Sequence, residues 1–153
     1  RFESHGAAVN ELSFDARGEY VGSCSDDGTV AVHALYDGEG EGEGGTTVHR
    51  YGRPVKTVAL DPEYGRRRTR QLVSGGLAGQ LVLNSRGWMG AKDHVLHAGE
   101  GALHAITWCG SLIAWANDLG VKLYDTASHQ RVSYIDRPRG SPRADLFRAH
   151  LQW

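Results

Sequence analysis

The chain has 153 residues and a net charge of −1, with 40% hydrophobic and 23% charged residues, which suits one soluble globular domain. So balanced a charge sets up no global field for nucleic acid, and the chain has no apolar run near the roughly 20 residues that a membrane-crossing helix requires. No signal peptide opens the sequence, so a cytosolic setting is expected, and the start at Arg1 without methionine points to a piece of something longer. The 21 glycines follow no collagen period, which suggests many tight turns between short strands.

In chain order, Ala8–Asp15 alternates apolar and polar residues as a half-buried strand does, and Glu19–Ser25 follows as a second strand. Asp26-Asp27-Gly28 reads as a hairpin turn, with the carboxylates bonding local N–H groups and glycine taking a positive φ. Val30–Leu35 is the third strand; after an acidic glycine-rich stretch, Gly38–Gly45, Thr46–Tyr51 is the fourth. The unit then repeats as Pro54–Asp61, a basic expansion Arg66-Arg67-Arg68-Thr69-Arg70, Gln71–Ser74, a turn through Gly75, Gly76 and Gly79, Leu81–Asn84, and a last strand near Val95–His97. It repeats again as Ala102–Cys109, Leu112–Ala116, a turn at Asn117–Gly120, Val121–Asp125 and Arg131–Ile135. Asp145–Gln152 is a weaker match to the opening strand of another unit. The starts recur every roughly 43 to 48 residues, close to the period of a four-stranded propeller blade. The expected fold is therefore an all-β propeller, WD-repeat-like, with blade A at about 4–51, blade B at about 53–98, blade C at about 101–136 and the start of a fourth at about 145–153. Three blades cannot close a ring, so this is part of a larger one, and the piece expressed alone is expected not to form a monodisperse, cooperatively unfolding monomer.

The stretch Phe14–Val32 resembles the WD-repeat signature, with Gly18, Ser23, Ser25, Asp27, Gly28 and Val30 in place. Where that family has a Trp-Asp pair, this chain has His33-Ala34, Asn84-Ser85 and Tyr124-Asp125, so only the third repeat keeps a ring and a carboxylate. Complete repeats pin each blade with a His–Ser/Thr–Asp–Trp hydrogen-bond network, and its loss predicts blades held mainly by packing and ladder bonds. Asp27, Gly28, Gly79, Gly120, Tyr124 and Asp125 are the expected turn and blade residues.

A narrower resemblance rests on Glu11-Leu-Ser-Phe-Asp, Leu35-Tyr36-Asp37-Gly38, Arg86-Gly-Trp88-Met89, Leu96-His97-Ala-Gly99-Glu100-Gly101 and Leu112-Ile-Ala-Trp115-Ala-Asn117-Asp118-Leu-Gly120-Val121-Lys122. These look like the N-terminal propeller of the vacuolar protein sorting 41 subunit of the HOPS endolysosomal tethering complex. The resemblance implies a non-catalytic interaction module of a cytosolic protein, peripheral on late endosome, lysosome or vacuole membranes. Other tethering subunits, Rab- or Arl-type small GTPases and adaptor-coat proteins are its implied partners. Another WD-propeller scaffold, such as a ubiquitin-ligase substrate receptor or a coat subunit, remains the alternative, and an enzyme with a central-channel site is a third.

No motif makes the chain an enzyme or calls for a cofactor. Gly40-Glu-Gly42-Glu-Gly-Gly45 satisfies a bare glycine pattern, but no helix follows and its glutamates repel phosphate. His94, His97 and His104 lack metal-ligand spacing on a strand, and Gly-x-Ser-x-Gly is missing. Arg66, Arg67, Arg68 and Arg70 are the candidate partner-binding residues, facing acidic lipid headgroups, an acidic partner or the nearby glutamate loop, at about 1 kcal/mol each on an anionic membrane. They carry no interleaved aromatics of the kind that single-stranded nucleic acid stacks on. Trp88, Trp108, Trp115 and Trp153 are expected to pack between blades, and Cys24 and Cys109 to be buried thiols.

Overall fold

The computed structural model describes residues 3–36, 45–140 and 151. The acidic stretch apart from Gly45, most of the expected fourth-blade strand and Trp153 therefore lie outside the described residues. The first sheet comprises β1 (Val9–Phe14), β2 (Tyr20–Ser25), β3 (Thr29–Ala34) and β4 (Thr46–Arg50). The second comprises β5 (Val55–Leu60), β6 (Leu72–Gly76), β7 (Gln80–Gly87) and β8 (Gly90–Ala98). The third comprises β9 (Leu103–Cys109), β10 (Leu112–Asn117), β11 (Gly120–Asp125) and β12 (Gln130–Asp136). Each sheet is an antiparallel meander with its strands in chain order, and the first strands of neighbouring sheets lie side by side. The fold is an open β-propeller of three blades, A, B and C.

The core lies between the blades. Cys24, Val30 and Val32 of blade A meet Val58, Leu60, Tyr64 and Leu72 of blade B, and Ala59, Val73 and Leu81 of blade B meet Leu103, Ile106, Ile113 and Trp115 of blade C. Because strand neighbours point to opposite faces, Val58 and Leu60 serve one interface while Ala59 serves the other. Blade B is covered on both sides, which is why β6 is buried at every position. Glycine lets the sheets approach: Leu60 lies where a Cβ on Gly22 would stand, 3.0 Å away, and Leu103 does the same at Gly75, at 2.6 Å.

At the inner edge, β1 also bonds directly to β5. Glu11 Oε2 accepts the Val58 N–H at 2.8 Å, Ser13 Oγ accepts the Leu60 N–H at 3.0 Å, and past the strand ends the Ala16 N–H donates to Pro62 O at 2.9 Å. Partners that advance together along both chains show that β1 and β5 run in the same direction.

The Asp26–Gly28 turn joins β2 to β3, with Gly28 at φ +80 and a hypothetical Cβ 2.4 Å from Tyr51 O. The Tyr51 N–H donates to Gly28 O at 2.7 Å, so Tyr51 cannot draw its backbone away without breaking that bond. Gly28→Ala is expected to cost about 2 kcal/mol or more, read as a lower urea midpoint at unchanged m.

Three expectations are corrected. First, blade A is not held by packing and ladders alone. The Thr29 hydroxyl donates to Asp27 Oδ1 (2.5 Å), His5 Nδ1 lies 2.6 Å from Thr29 Oγ1, and His5 Nε2 lies 2.7 Å from Ser23 Oγ. With Thr29 donating to Asp27, its oxygen accepts from His5 Nδ1–H, and Nε2 accepts from Ser23. His33, at the tryptophan position, reaches Thr46 Oγ1 at 2.7 Å and Ser4 Oγ at 3.3 Å. The network survives because its histidine comes from the segment before β1, outside the strands compared. Second, Trp88 and Met89 do not pack between blades: they are 96% and 85% exposed. The last strand of blade B begins at Gly90, not near Val95, so the pair forms a hairpin tip rather than a loop folded back on the sheet. Third, only Cys24 is buried, its thiol pushed up to about 12 mainly by burial; Cys109, beside the turn of the β9–β10 hairpin, is exposed. Trp108 and Trp115 are buried as expected.

Asp27 sits far below the ordinary carboxylate range, chiefly because the Thr29 hydroxyl, and also the Gly6 and Thr29 N–H groups, donate to its charged form. A depressed folded pKa contributes stability that is full above the unfolded value of 3.8 and lost as pH falls through the folded one. Asp27→Asn removes that dependence, so its stability deficit relative to the native sequence is expected to shrink below about pH 4, measured by urea midpoints across acid pH.

Candidate partner-binding surface

Because β1 and β5 run the same way, the β1–β2 and β5–β6 connections and the β7–β8 turn all emerge at one end of the sheets. The arginine segment lies in the β5–β6 connection. Asp61 organises it: its Oδ1 accepts the Glu63 N–H at 2.9 Å and its O the Tyr64 N–H at 2.9 Å, and Arg66 and Arg67 N–H groups then close on Glu63 O, both at 3.0 Å. Arg67 reaches back to the buried Asp61 carboxylate at 3.3 Å, so it serves the loop's own fold. Burial is the main cause that raises Asp61 above the usual carboxylate range, and Arg67 works against it.

The four candidate arginines divide by task. Arg66 stands 3.7 Å from Glu63, Arg70 lies over the Tyr20 ring at 5.3 Å with a positive φ of 38, and Arg68 is exposed with no ion pair among the described residues. Tyr20 packs on Tyr64 with ring centroids 5.2 Å apart, so Arg70 sits on the seam between blades A and B. Beside it, Thr47, His49, Tyr64, Arg70, Asn84, Arg86, Gly90 and Ala91 line a groove of about 260 Å³. Burial lowers His49, favouring its neutral ring, so Arg70 and Arg86 supply the groove's positive charge.

The β7–β8 hairpin rises from this groove. β6 pairs with β7 only as far as Asn84, so Ser85–Gly87 run on beyond it, roughly 10 Å at strand rise. The Arg86 N–H donates to Thr69 O at 2.6 Å, fastening the hairpin to the arginine segment. Gly87 pairs with Gly90, whose φ is +116, leaving Trp88 and Met89 as the two turn residues. Arg86 was missing from the sequence-based candidates, and for Trp88 and Met89 inter-blade packing was preferred to an exposed partner anchor; two glycines bracketing two residues were the available signal.

The opposite end carries structural turns. Gly79 has φ +67, and a Cβ on it would stand 2.7 Å from Gly101 O; on Gly120, at φ +155, it would stand 2.1 Å from Ile135 O. Asn117 Oδ1 accepts the Leu119 and Gly120 N–H groups at 2.9 and 3.1 Å, and Asp118 accepts from His104 Nε2 at 2.6 Å and from the Ala102 N–H at 3.3 Å. Tyr124 packs at the B–C interface. Back at the arginine end, Asp125 caps the β11–β12 turn through Ser128 and Ala127, lowered to about 2 chiefly by the Ser111 hydroxyl.

The three histidines separate. His94 is exposed, His104 binds Asp118, and His97 turns into the B–C interface 3.4 Å from Glu100. No group of three or more His, Cys, Asp or Glu side chains able to hold a metal ion occurs among the described residues. The cavity of about 440 Å³ along the inner strands contains the Glu11 carboxylate, which is already engaged with the Val58 N–H. Among the described residues no helix is long and apolar enough to cross a membrane.

Known proteins share this architecture and sequence. A β-propeller domain from Myceliophteria thermophila Cps50 (Swd1) superposes with a TM-score of 0.69 at 18% identity, over 89% of this chain and 44% of that one, a likeness of fold alone. The vacuolar protein sorting-associated protein 41 homolog of Arabidopsis thaliana is 51% identical over 99% of the chain, that of Danio rerio 40% over 100%, and the Schizosaccharomyces pombe protein 40% over 97%. The chain spans only 15 to 17% of the length of these relatives. A family model, Beta-prop_Vps41, described as Vps42 beta-propeller, matches residues 1–153. The chain belongs to the Vps41 β-propeller family.

Proposed function

We propose that this chain is the non-catalytic, protein-docking propeller of a subunit that tethers membranes in vacuolar or endolysosomal trafficking. The observation that carries the proposal is the match, along essentially its whole length, to proteins named for vacuolar protein sorting. The described residues support a docking role: their carboxylates and histidines are mostly spent on turns and blade contacts, while arginines and a tryptophan stand at one end of the sheets. On this view the parent protein works on the cytosolic face of late endosomes, lysosomes or vacuoles. Its partners there are sister tethering subunits, Rab- or Arl-type GTPases and adaptor coats.

Affinity capture tests this with the full-length protein, intact or lacking the propeller. Sister tethering subunits and GTPases in one nucleotide state are expected to co-purify with the intact protein, with at least one of these interactions lost on deletion. Recovery of ubiquitin-ligase components in their place, or an unchanged partner set after deletion, sinks the proposal.

A further inference from the structure

We propose that the Trp88–Met89 hairpin tip and the arginine segment fastened to it form a docking surface for an anionic lipid bilayer. The inference rests on the proposed work at an organelle membrane and adds to it a lipid contact made by this chain's own residues.

Trp88 and Met89 stand almost wholly in water at the end of a hairpin that outruns its neighbouring strand. A tryptophan that anchors a protein partner usually sits in a patch whose surrounding residues help to exclude water. At 96% exposure Trp88 has no such surround on its own side, so whatever covers it must enclose it from all directions. The bilayer interface does this for any side chain that enters it, and tryptophan is the residue enriched there. Neighbouring charge fits the same occupant: among the described residues, Arg17, Arg66, Arg67, Arg68, Arg70, Arg86 and Lys92 outnumber Glu19, Asp61, Glu63 and Asp93 at this end of the blades. Basic residues gain from an anionic surface only within about a Debye length, and the Arg86–Thr69 bond holds the arginine segment beside the tip. Neither feature suffices alone, since stable membrane attachment generally takes two signals, and here one hairpin base carries both.

The test is vesicle flotation of the full-length protein with phosphatidylcholine vesicles, with and without phosphatidylserine. The variants are Trp88→Ser/Met89→Ser, whose side chains lie outside the core, and Arg66→Glu/Arg68→Glu, which leaves Arg67 on Asp61. The native sequence is expected to float with the anionic vesicles, and each double variant to bind them about tenfold more weakly or worse. Raising the salt should weaken the native sequence and the tip variant more than the arginine variant. Failure of the native protein to float with anionic vesicles, or flotation of both variants like the native sequence, overturns the inference. So does loss of a captured protein partner in the tip variant with flotation unchanged, because the tip is then a protein anchor. Capture of the sister tethering subunits by the native protein reports separately on the function proposed above.

Discussion

Trp115→Ala is expected to lower the stability of the complete propeller by about 3–5 kcal/mol, seen as a fall in the urea midpoint. Trp115 is 1% exposed and packs with Leu81, Leu103, Ile106 and Ile113 where blades B and C meet, with the His97 ring centroid 5.4 Å from its own. Truncation opens a cavity between two sheets whose ladders resist collapse. Trp115→Phe discriminates the cause. The indole N–H is buried without a hydrogen-bond partner among the described residues, so phenylalanine loses some volume but also removes a stranded donor. That variant is expected to cost less than about 2 kcal/mol. Equal losses for the two variants would falsify packing as the main contribution.

The second large effect lies one turn away. The Lys122 side chain is 4% exposed, its Nζ bonds the Glu100 carboxylate, and it lies 5.2 Å from the centroid of the Tyr134 ring. Asn117 Nδ2 also donates to Glu100, at 2.9 Å, and His97 stands beside it. Glu100→Gln leaves a buried ammonium without its counter-charge and is expected to cost about 3 kcal/mol at neutral pH. Adding Lys122→Met should recover part of that loss, a coupling that a double-mutant cycle measures. Acid attacks the same cluster. Lys122 and then Asn117 hold Glu100 below its ordinary value of 4.5, and burial followed by Lys122 holds His97 below 6.5. Both folded pKa values are depressed, so both contributions are present above the unfolded values and lost as pH falls, His97 first.

The blades were legible because burial imposes alternation. Val55–Leu60 and Leu103–Cys109 each offer apolar residues to a neighbouring sheet, and glycines mark the turns between such runs. Neither the His5 network nor the Glu100–Lys122 cluster was legible, because in both a residue from the connection before a blade reaches that blade's later strands. Trp88 misled for a different reason. Its hydrophobicity predicts burial on average, but whether a hairpin stops level with its neighbour or outruns it depends on pairing that local composition does not encode. The arginines were visible as a cluster, whereas Arg67's service to Asp61 and Arg70's seat on Tyr20 emerge only once the loop is folded.

An innermost propeller strand has a hydrogen-bonded neighbour in its own sheet on one side only, so amides on its other side would ordinarily exchange freely with solvent deuterium. Here Glu11 and Ser13 cover the Val58 and Leu60 amides from the adjacent blade. Deuterium uptake at those two positions therefore reports the docking of blade A onto blade B, and Ser13→Ala should quicken it at Leu60 while leaving Val58 slow.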